Sequence, residues 1–401
     1  MQTQHRHVAA ILFSCLFAAQ AGQLALTPVL TDVAAAFGVS TAAASQIRTV
    51  AAVVAAVVAL CVGAAVGRVR LRSLLAMGVG LVAVGSISSC LAPSLALLAA
   101  GQAVVGAGSS VLVGAGVAAA AAWTDTAARA RVVAWALVGA PAAWVVAMPA
   151  IGAAATTGWR LGFAVPVLAA AAAAVALSKA PAGAAMRSSV GLRSFVGQPR
   201  LRGWAVGELL AYAAWSGVLV FAGALFVESY GTSPSTVGVA LAAGAAAYIP
   251  GTFAAQRAPI QRSRPLLAAV SLLLAAIVVV FGVVRAGALQ SALAFGALCF
   301  LSGARTYLGS AVGLDLAPGT GSPAMPVRAA AAQLGWIVGA GAGGAALSTG
   351  GYPALSTVLA VLFVAGALMH ISGAAALRRL RRRPAIRPLH LRPEAARARA
   401  R

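Results

Sequence analysis

Acidic residues are scarce in this chain: six Asp and Glu stand against 29 Lys and Arg in 401 residues, and charged residues make up only 9%. A soluble domain carries about 25% charged residues, so a soluble enzyme or binding module is excluded. Cysteine is equally sparse. Cys15, Cys61, Cys90 and Cys299 all lie in apolar runs without a CxxC pair, which leaves no disulfide framework and no zinc site. His5, His7, His370 and His390 are scattered near helix ends or in tails and form no catalytic or metal cluster. No glycine loop of the P-loop type occurs, so ATP is not the energy source. Too few acids and histidines remain for a membrane enzyme, and no cofactor is implied. The lack of a soluble domain disfavours a non-transporting sensor.

What is present is apolar: 61% of the chain is hydrophobic. A membrane-crossing helix needs about 20 apolar residues, and the length then allows about 12 spans with short loops. Apolar runs recur near 8–30, 43–66, 71–92, 95–122, 131–153, 159–179, 203–227, 233–254, 264–285, 287–313, 326–349 and 353–377. They do not alternate as barrel strands would, so they are helices. The first run resembles a signal peptide, with Ala19-Gln20-Ala21 as a cleavage-like site. Its length and the runs that follow favour an uncleaved first span. Abundant Ala and Gly predict close helix packing, notably through Gly335, Gly339 and Gly343.

Charge sets the topology. With the N-terminus in the cytoplasm, 25 of the 29 basic residues fall inside, ten of them in the tail after residue 377. Only Arg160 and Arg285 fall outside, and Arg48 and Arg305 lie within spans. Positive residues collect on the cytoplasmic side, so both termini are inside and the span count is even. The basic excess therefore reads as anionic-lipid binding, above all by the tail, and not as nucleic-acid binding. The arginine bias suggests a bacterial inner (plasma) membrane protein. Residues 1–179 form the first six-helix bundle, 180–202 a cytoplasmic linker, 203–377 the second bundle and 378–401 a basic disordered tail. The halves echo each other. Phe37-Gly38-Val39-Ser40 matches Tyr230-Gly231-Thr232-Ser233, 193 residues on, and Asp32 and Glu228 end the corresponding spans. Repeated halves are a transporter signature.

On these residues the chain resembles the major facilitator superfamily, and most closely its twelve-span drug:proton antiporter branch. The family loop between spans two and three reads roughly G-x-L-x-D-R-x-G-R-R. This chain keeps Gly63 and Arg68, but Gly67 replaces the Asp. Gln102 and Gly106 stand where the family has R-x-x-x-G in span four. The antiporter motif of span five survives only as Pro149 and Gly152. Gly158-Trp159-Arg160 followed by Phe163 fits the family's G-W-R-x-x-F. The resemblance implies an all-α integral membrane protein of twelve helices in two pseudo-symmetric six-helix bundles. It implies a monomeric secondary transporter that exports small amphipathic or cationic compounds by alternating access, driven by proton entry. The missing Arg and the eroded motif keep an alternative open, a facilitator or proton-linked carrier for a sugar, amino acid or other metabolite.

Candidate residues follow from cost. An ionisable group in the membrane is expensive and a functional candidate by default. Glu208 is the one acid clearly inside a span, among apolar residues and roughly 7–8 Å deep at about 1.5 Å per residue. It would take up and release the coupled proton, with Asp32 next in line. The competing reading is an interfacial acid paired with Arg202. Trp204, Glu208, Tyr212 and Trp215 share one helical face. Tyr212 and Trp215 read as an aromatic wall or as packing, and Trp204 as an interfacial anchor. Gln20, Gln23 and Thr27 share a face of span one, where they line a cavity or join helices. Gln333 and Trp336 are further cavity candidates. Arg48 and Arg305 need partners, which Asp32 and Asp315 are expected to supply as gating pairs. Gly63, Arg68, Pro149 and Gly152 complete the conformational set, Pro149 by bending span five.

Overall fold

The computed structural model describes residues 3–65, 69–124, 132, 135–136, 138–181, 199–316 and 324–381. Among the described residues there are helices and turns but no strand. Span one runs over His5–Ala36 and contains a short 3₁₀ turn at Thr27–Val29, where Pro28 removes a backbone donor. Span two is Thr41–Ala65, span three Leu71–Cys90 and span four Leu95–Ala122. Span five is the shorter helix Gly139–Ala155, and span six is Trp159–Ser178. Spans seven to ten are Pro199–Tyr230, Pro234–Gln256, Ile260–Val284 and Ala288–Leu316. The final helix, Ala324–Arg381, breaks at Gly350 and Gly351 into spans eleven and twelve. Gly351 has φ +62°, a conformation that L side chains rarely adopt, and Pro353 follows it. Among the described residues ten helices are long and apolar enough to cross a membrane, the last of them broken in two, and Gly139–Ala155 is a shorter apolar helix, a set consistent with the twelve spans that composition predicts.

The echo between the halves is a repeated turn. Gly38 and Gly231 both have φ +64°, which ends spans one and seven in the left-handed region. Two residues later a serine opens the next helix. The Ala43 amide donates to Ser40 Oγ at 3.1 Å, and the Thr236 amide donates to Ser233 Oγ at 3.3 Å. Such a cap is worth about 1 kcal/mol.

Three apolar cores organise the bundle. At the end carrying the arginine-rich loops, here the basic end, each half has its own. One gathers Leu12, Cys15, Leu75, Leu112 and Leu177, and the other Leu201, Trp204, Leu267 and Leu308. Toward the opposite end a single core joins both halves, with Leu26, Trp144, Ile151, Trp215, Phe221 and Phe295 among its members. Glycine allows the halves to touch there. A Cβ on Gly238 of span eight would lie 2.6 Å from the Met148 carbonyl oxygen of span five. Gly152 is pressed in the same way on Pro234, Gly223 on Thr27, and Gly344 on Gln46. The Glu228 carboxylate fastens this end, accepting from Thr41 in span two and, at 2.8 Å, from the Tyr352 hydroxyl in span twelve. Within the second half, Gly335 and Gly339 bring span eleven onto the backbone of span seven at Tyr212 and Ala213. Large side chains such as Leu168, Val175, Leu289 and Leu293 stay exposed on the outside, the surface a bilayer covers.

Candidate functional site

Glu208 has no exposed surface, and apolar residues are not its main company. Span seven places it against spans ten, eleven and twelve, and three basic side chains converge on it. Arg305 donates to Oε1 at 2.8 Å and Arg328 donates through Nε to Oε2 at 2.9 Å. His370 Nε2 lies 3.7 Å from Oε1. Small residues make room for this cluster. A Cβ on Gly309 would fall 2.5 Å from Oε1, and one on Gly207 would fall 2.7 Å from the His370 ring.

Several expected partnerships are corrected by these contacts. Arg305 pairs with Glu208, and Asp315 is taken by Arg264 at 3.2 Å. Residue 315 lies nearly three helical turns beyond 305, too far along span ten for the pair to form. Arg202 does not hold Glu208, whose two oxygens accept from Arg305 and Arg328. Arg48 does not pair with Asp32; its guanidinium stands over the Trp336 ring, 4.6 Å from the centroid, across the junction of the halves. Trp204 is no interfacial anchor. It is 2% exposed and donates its indole N–H to the Gly309 carbonyl at 3.0 Å, because span seven begins at Pro199 and carries it into the core.

The remaining candidates divide between the two halves. Tyr212 lies under Arg328, 5.1 Å from ring centroid to guanidinium. Trp215 meets Trp144 of span five at 6.0 Å, and Trp144 meets Tyr248 of span eight edge-on at 5.0 Å. These three rings form an aromatic wall where the halves join. Sequence reasoning missed Trp144 and Tyr248, which looked like ordinary members of apolar runs. Gln23 and Thr27 are buried and Gln20 half-buried on span one; Gln333 is half-buried on span eleven. Asp32 is half-buried at the opposite end. Pro149 and Gly152 lie in the contact between spans five and eight. Gln102, which stands where the resemblance expects Arg, donates to Ser89 at 2.9 Å within the first half. Gly63 sits near the end of span two, whereas Gly67 and Arg68 lie outside the described residues, as do most of the linker and of the tail.

Residues 12–314 match the profile of the Major Facilitator Superfamily. The chain belongs to this family. Members are membrane transporters that bind small molecules. Solved structures share its fold. A bacterial homolog of the human lysosomal transporter Spinster, inward-facing and unoccupied, has a TM-score of 0.70 at 14% identity, over 94% of this chain and 96% of the other. The occupied form of that homolog scores 0.71 at 14% identity, over 95% and 98%. A D-xylose–proton symporter scores 0.73 at 14% identity, over 91% and 96%. No curated protein sequence matches this chain.

Proposed function

We propose that this chain is a secondary transporter that exports small amphipathic molecules by alternating access, driven by proton entry. The observation that carries the reading is the division of the core. The halves share one core and an aromatic junction toward the opposite end, and keep separate cores at the basic end. With the basic end cytoplasmic, this is the layout of an inward-open state, and two rocking bundles need such a split. Trp215, Tyr212, Gln333, Trp336, Gln20, Gln23 and Thr27 then line the path. Arg48, Pro149 and Gly152 serve the gate at the far end, and Glu208 or Asp32 handles the proton. The bundles are residues 1–179 and 203–377 of a monomer in the inner membrane. The basic tail, 378–401, lies on anionic lipid.

A second reading has its own support. Glu208 is already held by Arg305 and Arg328, and the span-four Arg is absent. A carboxylate occupied in this way suits a facilitator for a metabolite that moves without protons. Vesicles containing the purified chain separate the two. Uphill accumulation of an amphipathic dye that needs an imposed pH gradient, and is lost in Glu208→Gln while downhill exchange survives, supports the antiporter. Movement indifferent to the gradient replaces it with the facilitator.

A further inference from the structure

Charge inside the spans does not balance. Glu208 is the carboxylate that Arg305 and Arg328 share. Arg48 is 5% exposed, and among the described residues no carboxylate comes within ion-pair distance of it. Of the other described acids, Asp32 stands half-buried near the end of span one, Glu228 accepts from Thr41 and Tyr352 at the opposite end, and Asp315 pairs with Arg264 at the basic end. Three guanidiniums embedded in the spans therefore face one carboxylate, and uncompensated charge at that depth is costly. Each guanidinium also has a buried nitrogen without a hydrogen-bond partner: Nε of Arg48, Nε of Arg305 and Nη2 of Arg328.

The arrangement of rings around these groups tells what compensates them. Arg48 from the first half stands over Trp336, and Arg328 from the second stands over Tyr212. Stacking engages the flat face of a guanidinium and leaves its N–H edge for an oxyanion, which the planar fork binds in two-point fashion. Trp336 lies two turns beyond Arg328 on span eleven, and Tyr212 one turn beyond Glu208 on span seven. Trp215, Trp144 and Tyr248 continue the wall. We propose that the transported compound is an amphipathic organic anion. Its carboxylate or equivalent oxyanion docks on Arg48, Arg328 supplies a second positive centre from the other half, and its apolar part lies against Trp336, Trp144 and Trp215. This deepens the transport reading and rests on it. It also replaces the cationic substrates expected from sequence, since three arginines repel a cation.

Three probes of one shape and different charge test the assignment on the purified full chain: 1-naphthoate, 1-naphthamide and 1-naphthylmethylammonium, each titrated against the melting temperature. Naphthoate should stabilise at concentrations at least tenfold below naphthamide, with the ammonium weakest. Arg48→Gln should raise the half-maximal naphthoate concentration at least tenfold and leave naphthamide unchanged, and Arg48→Lys should recover part of the loss. If the amide or the ammonium equals or exceeds naphthoate, or if naphthoate has no effect, the assignment is overturned, whether or not Arg48→Gln folds. A naphthoate titration unmoved in a folded Arg48→Gln overturns it as well. Spin labels at positions 69 and 261, both exposed at the basic end, report the carrier reading separately. A fixed distance between them removes alternating access and leaves the anion site standing. A changing distance without charge discrimination does the reverse.

Discussion

Gly238→Ala should push this transporter out of its present conformation. The added Cβ would lie 2.6 Å from the Met148 carbonyl oxygen and 3.0 Å from the Pro149 Cα. Both neighbours are backbone, so no side chain can swing aside, and span five must retreat. Overpacking of this kind costs about 1–3 kcal/mol. Alanine gains up to about 1 kcal/mol of helix propensity over glycine, but it gains this in every conformation, so the term cancels. The clash acts only while spans five and eight touch at the opposite end. At about 1.4 kcal/mol per tenfold, the equilibrium moves roughly 5- to 150-fold toward the state in which that end is open. Spin labels at positions 36 and 236, exposed at the opposite end, should then separate, while labels at 69 and 261 approach. Gly152→Ala, pressed on the Pro234 carbonyl, should do the same. If the melting temperature falls and neither distance changes, spans five and eight stay together throughout the cycle and the gate lies elsewhere.

Two further outcomes follow from the charged cluster. Gly309→Ala should cost about 1–3 kcal/mol in a detergent melt by driving the Glu208 carboxylate off its arginines, whereas Gly341→Ala, whose Cβ would meet only Thr49 Oγ1 at 3.9 Å, should be near neutral; equal effects would refute the crowding argument. Trp204→Phe should lose about 1 kcal/mol with the indole-to-Gly309 hydrogen bond, and no loss would mean that this bond contributes nothing net.

Sequence carried the features written locally. The repeated turn was visible because Gly38 with Ser40 and Gly231 with Ser233 each need only four consecutive residues to specify a left-handed end and a cap. The twelve segments were visible because a bilayer fixes the length of an apolar run. Partners were another matter. Helical spacing tells which residues share a face but not which helix that face meets. Glu208 draws its neighbours from spans ten, eleven and twelve, 97 to 162 residues away in the chain. The nearby acids therefore looked like the natural partners of Arg48 and Arg305, and they are not. His370 carried a readable signal, as the one histidine well inside an apolar run, but its distance from Glu208 in sequence concealed it. Trp144 carried none, since an aromatic ring in an apolar run packs equally well against its own bundle or the other.

The repeat itself gives a reason to read the Glu208 cluster as functional. Shifted by the 193 residues that relate the two turns, Glu208, Arg305 and His370 fall on Cys15, Leu112 and Leu177. Those three are buried together in the core of the first half. The same fold thus closes the basic end of one bundle with apolar side chains and threads charge through the other, so the architecture does not require the charge. Breaking a buried pair by removing one partner costs about 3–5 kcal/mol, yet replacing the whole set by apolar residues of similar size is often neutral or stabilising by about 1–4 kcal/mol. Glu208→Gln alone should therefore lower the melting point sharply, because two guanidiniums lose their counter-charge. Glu208→Met with Arg305→Met and Arg328→Met should melt at or above the parent and transport nothing. A triple variant less stable than Glu208→Gln would show that the arginines hold the bundle together through contacts of their own. A stable triple variant that still transports would show that substrate and proton pass without touching the cluster.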